Sequence, residues 1–227
     1  MCGRNSLFIS EAELEERFDA RVTVGGYQAR FNIAPQQPHP VISNDDPDEI
    51  TEYRWGLVPQ WMGDPDAGFI NARSETAHEK PAFRHAWETR PCLVLSTGFY
   101  EWKQPNGGAK QPYRVYREDD PAFAMAGLWE EREPEAGESL RTVTILTTEP
   151  NEVVEPIHDR MPVVLRREDE RTWLNADSDE RRELCRPYPG NDLNAYPIST
   201  RVNNPENDDA RVIEPLGSDQ SDLGEFA

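Results

Sequence analysis

Three observations predict an α+β fold with more strand than helix. Twenty prolines in 227 residues break the chain into short elements joined by turns. Its apolar stretches are mostly strand-like: they alternate with polar residues or run only briefly, as in Cys92-Leu93-Val94-Leu95. Few segments repeat apolar residues at helical spacing. The length suits one domain.

Ser10-Glu11-Ala12-Glu13 reads as a capping box opening a helix over about residues 11–19, with Leu14 and Phe18 on its apolar face. Residues 27–35 alternate as an extended segment that stops at Pro35. Short strands follow at 41–42 and 51–57. Trp61 then introduces a Gly/Pro/Asp loop over 63–68, where it is a lid on the core or a stacking platform for a base. If residues 69–76 are extended, Asn71, Arg73 and Glu75 share one side. That is either a site or a solvated strand edge. A helix is predicted over 78–88, with Pro81 in its first turn.

Residues 90–102 form the clearest core strand. Glu101 lies in it between Tyr100 and Trp102, where an apolar setting would disfavour its charge and suit it to proton transfer. The bland alternative is a strand-end Glu in solvent. Residues 105–108 read as a hairpin turn. Strands at 112–117 and 123–129 are expected to pair, followed by an acidic connection over 130–138 and a strand at 140–147. His158, one of four histidines, lies in the polar turn 156–162 with Asp159 and Arg160 beside it, and a strand resumes at 163–165. Helices at 168–175 and 179–186 and a last strand at 196–202 complete the domain, taken as residues 1–205. Residues 206–227 carry seven acids and one Arg and are expected to be an acidic, partly disordered tail.

The formal charge is −19, and only three of 24 cations are Lys. Acid-rich, Lys-poor composition is usual for a protein of a high-salt cytoplasm, where screening within about 3 Å at 1 M salt removes self-repulsion, and the alternative is an ordinary acidic protein that avoids nucleic acid. The charge argues against nonspecific nucleic-acid binding, so any DNA reading must rest on a local Arg cluster, stacking or covalent chemistry. No stretch reads as a membrane span or a signal peptide, and a cytoplasmic, nucleoid-associated location is expected. Cys2, Cys92 and Cys185 have no metal-like spacing, so no metal or cofactor is expected. Cys2 follows the initiator Met. Removal of Met1 would place an α-amine (pKa about 7.7–8.0) beside a thiol (about 8.5), and both are partly nucleophilic at neutrality. Such a 1,2-aminothiol turns an aldehyde into a Schiff base and then a thiazolidine. By itself, though, a Cys at position 2 is more often an accident of a frayed terminus.

Taken together, Met1-Cys2-Gly3-Arg4, Phe31-Asn32-Ile33-Ala34-Pro35, Trp55-Gly56-Leu57-Val58-Pro59 with Trp61, Asn71-Ala72-Arg73-Ser74-Glu75-Thr76, Gly98-Phe99-Tyr100-Glu101-Trp102 and Ile157-His158-Asp159-Arg160-Met161-Pro162 resemble the SRAP (SOS response-associated peptidase) family of abasic-site DNA–protein crosslinking proteins. The resemblance implies a fold of antiparallel strands curled into a barrel-like core with flanking helices. It implies a lesion-shielding crosslink through Cys2 to abasic sites in single-stranded DNA, with β-elimination lyase activity and crosslink reversal as further expectations. Asn71 would position the terminal Cys and the sugar. Glu101 would relay protons for sugar opening and ring closure, and His158 would serve the Schiff-base stage and reversal. Arg4, Arg73 and Arg160 would contact phosphates, Pro35 and Trp61 would pack on bases, and Asn32 would belong to the DNA-binding set. A monomer is expected, and a replication-machinery partner is left open. The pair Trp61-Met62 departs from the family's tandem aromatics. Two readings from other classes stay open. One is an N-terminal-nucleophile amidohydrolase or thiol autopeptidase using Cys2, and the other is a non-covalent single-stranded DNA-binding module.

Overall fold

The computed structural model describes residues 2–64, 66–104, 108–132 and 139–217. In chain order its first elements are β1 (Asn5–Leu7), α1 (Glu11–Phe18), β2 (Arg21–Val22), β3 (Arg30–Ile33), β4 (Pro38–Ser43), β5 (Glu49–Trp55), β6 (Asn71–Arg73), α2 (Ser74–Ala77) and α3 (Arg84–Thr89). They are followed by β7 (Pro91–Ser96), β8 (Gly98–Lys103), β9 (Gln111–Arg117), β10 (Phe123–Arg132), β11 (Leu140–Thr148), β12 (Met161–Pro162), α4 (Arg167–Asn175), α5 (Ser178–Leu184) and β13 (Leu193–Pro197). Two 3-10 turns, Thr200–Asn203 and Ala210–Val212, close the described chain.

The expected barrel-like core is present. Strands β11, β10, β7, β4 and β5 pair in that order, and β5 returns to β11 to close a five-stranded ring. Four of its seams are antiparallel. The closing seam is parallel, through Thr142 opposite Arg54 and Val143 opposite Trp55. Closure leaves the ring without an unpaired edge. A second, open sheet has the order β13-β9-β8-β1-β3. Its β8 continues directly from β7 of the ring, so the long strand predicted over 90–102 is two strands in two sheets. Gly98 stands at the change of sheet, where a Cβ would lie 2.8 Å from the Val115 carbonyl oxygen, which makes a side chain there prohibitive.

Trp55, Trp87, Trp129 and Trp173 are buried in the core, and each indole N–H finds an acceptor: the Ile70 carbonyl, Ser178 Oγ, Asn44 Oδ1 and the Cys92 carbonyl respectively. A buried indole N–H without a partner would cost about 1–3 kcal/mol. The capping box of α1 forms in both directions, between Ser10 and Glu13.

Four expectations are corrected. Strands β9 and β10 do not pair: β9 joins β8 and β13, and β10 joins β7 and β11. The helix expected over 78–88 starts only at Arg84, because Pro81, which lacks an N–H and fixes φ, sits in the turn between α2 and α3. Glu75 does not share an extended face with Asn71 and Arg73, since the chain turns helical at Ser74. Residues 206–217 are not a detached tail. Asp208 pairs with Arg30 and accepts the Phe31 and Asn32 backbone N–H groups at 2.5 and 2.8 Å, and Val212 is fully buried. An acidic residue thus ties down a segment whose composition reads as solvated. The rest of that expected tail, 218–227, lies outside the described residues, as does most of the turn expected at 105–108.

Candidate functional site

The site lies where the two sheets meet. The N-terminal segment runs antiparallel beside β8, with Asn5 opposite Phe99, Ser6 opposite Gly98, and the Tyr100 N–H donating to the Arg4 carbonyl at 3.1 Å. Continuing that register brings Gly3 opposite Glu101. Behind it, Asn5 is fixed by a buried polar chain: its side-chain amide meets His39 Nε2 at 2.5 Å and the Leu95 carbonyl at 3.2 Å, while Ser96 Oγ donates to its Oδ1 at 2.6 Å. From the ring side, Asn71 on β6 donates its amide to the Cys2 carbonyl at 2.8 Å. Cys2 is therefore held by both sheets and is fully buried. Burial, reinforced by the charge of Glu101, pushes its thiol well above the ordinary range.

Glu101 is 1% exposed, and burial raises its carboxyl to about 7, with Asp159 adding to the rise. It opens on a cleft of about 360 Å³ lined also by Trp102, Lys110, His158 and Asn203. His158 is half-buried, and burial is the main cause that lowers its pKa. Its Nδ1 stands 3.0 Å from the Arg160 backbone nitrogen and 3.0 Å from Asp159 Oδ1. Near neutral pH the cleft thus holds a carboxyl poised between its two forms and an imidazole biased towards neutrality. This is the pairing acid–base work requires.

The structure gathers Cys2, Asn71, Glu101 and His158 at this seam. Arg4 stands beside them, with its guanidinium on the Gly3 and Asn203 carbonyls at 2.9 and 3.2 Å. Arg73 is exposed at the end of β6, next to the site. Arg160 is already engaged: its fork grips both Glu75 oxygens at 2.6 and 2.9 Å and reaches the Thr147 carbonyl at 2.6 Å. Pro35 is half-buried at the β3–β4 turn. Trp61 is 63% exposed, the one large hydrophobic side chain among the described residues that faces solvent. Its loop is pinched at the stem by the Leu57–Phe69 bridge, where Gly68 packs so closely on Gly56 that a Cβ would lie 2.2 Å from the Gly56 oxygen.

Asn32 is corrected. It is fully buried, its backbone N–H goes to Asp208, and its side-chain amide lies within reach of the Val202, Asn204 and Asn207 carbonyls at 3.2, 3.1 and 2.9 Å. It anchors the C-terminal segment and presents no exposed surface in this structure. Sequence reasoning missed Lys110, Trp102 and Asn203 as cleft walls. Lys110, one of three lysines, was the one visible signal. Asn203 arrives only because the C-terminal segment folds back, with its Oδ1 accepting the Trp102 indole N–H at 2.8 Å. Among the described residues no group of three or more His, Cys, Asp or Glu is placed to hold a metal ion, and no helix is long and apolar enough to cross a membrane.

Comparison with known proteins gives one consistent picture. Residues 1–205 match the family model described as SOS response associated peptidase (SRAP). The abasic site processing protein YoqW of Bacillus subtilis is 41% identical over 222 residues, covering 94% of this chain and 99% of that protein. The abasic site processing protein HMCES of Xenopus tropicalis is 30% identical, covering 91% of this chain and 76% of its own length. A crystal structure of a Bacteroides thetaiotaomicron protein superposes with a TM-score of 0.86 at 28% identity, covering 95% of this chain and all of that one.

Proposed function

Because the chain belongs to the SRAP family, we propose that it senses abasic sites in single-stranded DNA and captures them covalently through Cys2 once Met1 is removed. The ring-opened abasic sugar presents an aldehyde. The Cys2 α-amine adds to its carbon and the carbinolamine loses one water to give an imine. The Cys2 sulfur then adds to the imine carbon while the imine nitrogen takes up a proton, closing a thiazolidine. The sum is protein plus DNA less one water, with no oxidant or metal required.

The observation that carries this reading is that Glu101 acts on the buried Cys2 thiol and lines one cleft with His158. Removal of Met1 turns the Cys2 amide nitrogen into an amine while Asn71 still holds the Cys2 carbonyl. Glu101, raised to about 7, can give a proton to the departing hydroxyl and take the thiol's proton in turn. That second task matters because the thiol is held protonated by burial. His158 serves the imine stage and, by the same path reversed, release of the crosslink. If it takes a proton from the sugar carbon beside the imine, the 3′ phosphate leaves by β-elimination. Arg4 and Arg73 supply positive charge at the cleft, and Trp61 supplies a stacking face worth about 1–3 kcal/mol per base. Covalent capture also suits a chain of charge −19, because it does not depend on an equilibrium affinity that falls steeply with salt.

The test is a single-stranded oligonucleotide with one abasic site, incubated with the protein in high KCl and run on a denaturing gel. A heat-stable band of one protein on one DNA, absent with Cys2→Ala, is expected. Non-covalent retention that survives Cys2→Ser, with no such band, would favour a binding module. A folded protein lacking Met1 that makes no adduct and releases ammonia from glutamine would favour the amidohydrolase.

A further inference from the structure

We propose that Asn203 and Lys110 complete, with Arg4, a seat for one backbone phosphate of the bound strand. The proposal deepens the function proposed above and rests on it for DNA as the ligand.

Asn203 comes from the C-terminal segment and meets two other parts of the site. Its Oδ1 accepts the Trp102 indole N–H at 2.8 Å, and its main-chain carbonyl accepts from the Arg4 guanidinium at 3.2 Å. An indole N–H only donates, so it is the oxygen of the side-chain amide that faces Trp102. The amide nitrogen is thereby turned away from the indole, and its two N–H groups have no protein partner among the described residues. The turn that carries Asn203 is held in place by buried contacts. The Asn32 amide reaches the Val202 and Asn204 carbonyls on either side of it, and Asp208 accepts the Phe31 and Asn32 backbone N–H groups. A donor on an exposed residue is met by water in the unbound protein, so it is ready to exchange that water for a ligand oxygen.

Lys110 stands just before β9 and lines the same cleft. It is exposed and has no ion-pair partner among the described residues. Arg4 gives one N–H to the Gly3 carbonyl and one to the Asn203 carbonyl, out of five. Three separate segments therefore bring a guanidinium, an ammonium and a neutral amide to one place. The cleft's own carboxyl, Glu101, is buried, whereas Asn203 and Lys110 are exposed at its mouth. Several donors without a facing acceptor suit an anion with several oxygens, and along a DNA strand that anion is the phosphate.

A labelled single strand with a tetrahydrofuran in place of the abasic sugar has no aldehyde, so its anisotropy reads non-covalent binding by the whole protein. Asn203→Ala is expected to weaken that binding about fivefold, the loss of one hydrogen bond, with the salt slope unchanged. Lys110→Gln is expected to make the slope shallower by about 0.7, the value for one phosphate of a single strand. An undamaged strand should show both changes, because a phosphate contact carries no base information. The indole N–H resonance of Trp102, assigned by Trp102→Phe, should stay in place in Asn203→Asp, which keeps the acceptor, while binding weakens. If Asn203 only braces Trp102, Asn203→Ala has no effect in a Trp102→Phe background; the seat requires that it still weakens binding there. Unchanged affinity in Asn203→Ala, loss of its effect beside Trp102→Phe, or an unchanged slope in Lys110→Gln each overturns the proposal. Absence of an adduct with a true abasic strand would sink the function proposed above, while the anisotropy would still decide the seat.

Discussion

Two regions of this molecule keep carboxylates out of water, and they do so in opposite ways. At the junction of α1, α4 and the turn before β10, Arg17 forks both Asp120 and Glu170, at 2.8 and 2.7 Å, while Arg117 reaches Asp120 and Asp192 at 3.1 and 2.6 Å. Burial raises the Glu170 carboxyl and Arg17 offsets it, while Asp192 ends below its usual range because its bonds to Arg117 and Tyr188 outweigh its burial. Every acid there has a fixed cation, and the cluster is structural. At the cleft, burial dominates Glu101, and its proton is left near the point of exchange at about 7. A carboxylate clamped by guanidinium forks is locked in one state, whereas Glu101, where burial outweighs the nearby positive charge, can change state. That difference separates scaffold from site more sharply than burial does.

The contrast can be broken from either side. The largest effect is expected from Arg17→Met, which strands the buried Glu170 and leaves Asp120 with Arg117 alone, and should cost about 3–5 kcal/mol in chemical denaturation. Crosslinking per folded molecule should not change. If it falls, the cluster is no mere scaffold. Next, Glu101→Gln should slow crosslinking roughly 10²–10³-fold and remove the inflection near neutral pH from the rate profile, with unchanged Cys2 dependence.

The same substitution should stabilise the protein in alkali. The Glu101 carboxyl is raised from 4.5 to about 7 in the fold, so the folded state binds more protons across that window. Stability from this group is present below pH 4.5 and is lost as pH rises through 7, by on the order of 3 kcal/mol at most. Buried His39 gives the opposite slope. Its pKa is lowered by burial to about 4, so stability is lost as pH falls from about 6.5 through 4. Melting curves of the wild type, Glu101→Gln and His39→Gln across pH 4–8 should separate the two limbs, with Glu101→Gln flattening only the upper one.

Asp208→Asn should cost roughly 1–3 kcal/mol, since Asp208 accepts two backbone N–H groups and pairs with Arg30. It should also loosen the Asn203 wall of the cleft, readable as faster amide exchange over 199–208. The smallest effect on stability is expected from Trp61→Ala, within about 0.5 kcal/mol, while non-covalent retention of single-stranded DNA weakens. A large loss of stability there would make Trp61 a lid on the core after all.

Much of this was legible in the chain. The α1 capping box, the extended character of 90–102 and the polar turn at His158 are local signals, and the structure bears them out. The barrel came from family resemblance, because ring closure depends on a parallel β5–β11 seam between residues nearly ninety positions apart. No local pattern encodes such a pairing. The split of 90–102 into two strands was hidden for a similar reason: apolar patterning continues straight through Gly98, and only the Val115 carbonyl approaching from another strand shows why glycine stands there. Polar residue types resemble ligands in a sequence, and the burial of Asn32 against 202–208 and the pairing of Arg160 with Glu75 appear only in three dimensions. The 206–217 segment misled conversely, since Asp208 is one acid among many until its partners are seen.

The most direct test of the central claim is the intact mass of the heat-stable species formed with an abasic single-stranded oligonucleotide. The account expects one species equal to the protein without Met1 plus the DNA, less one water, with the modification mapping to Cys2 and no species from Cys2→Ala. An adduct that persists in Cys2→Ala, or one carrying its modification on Lys110 instead, would contradict it.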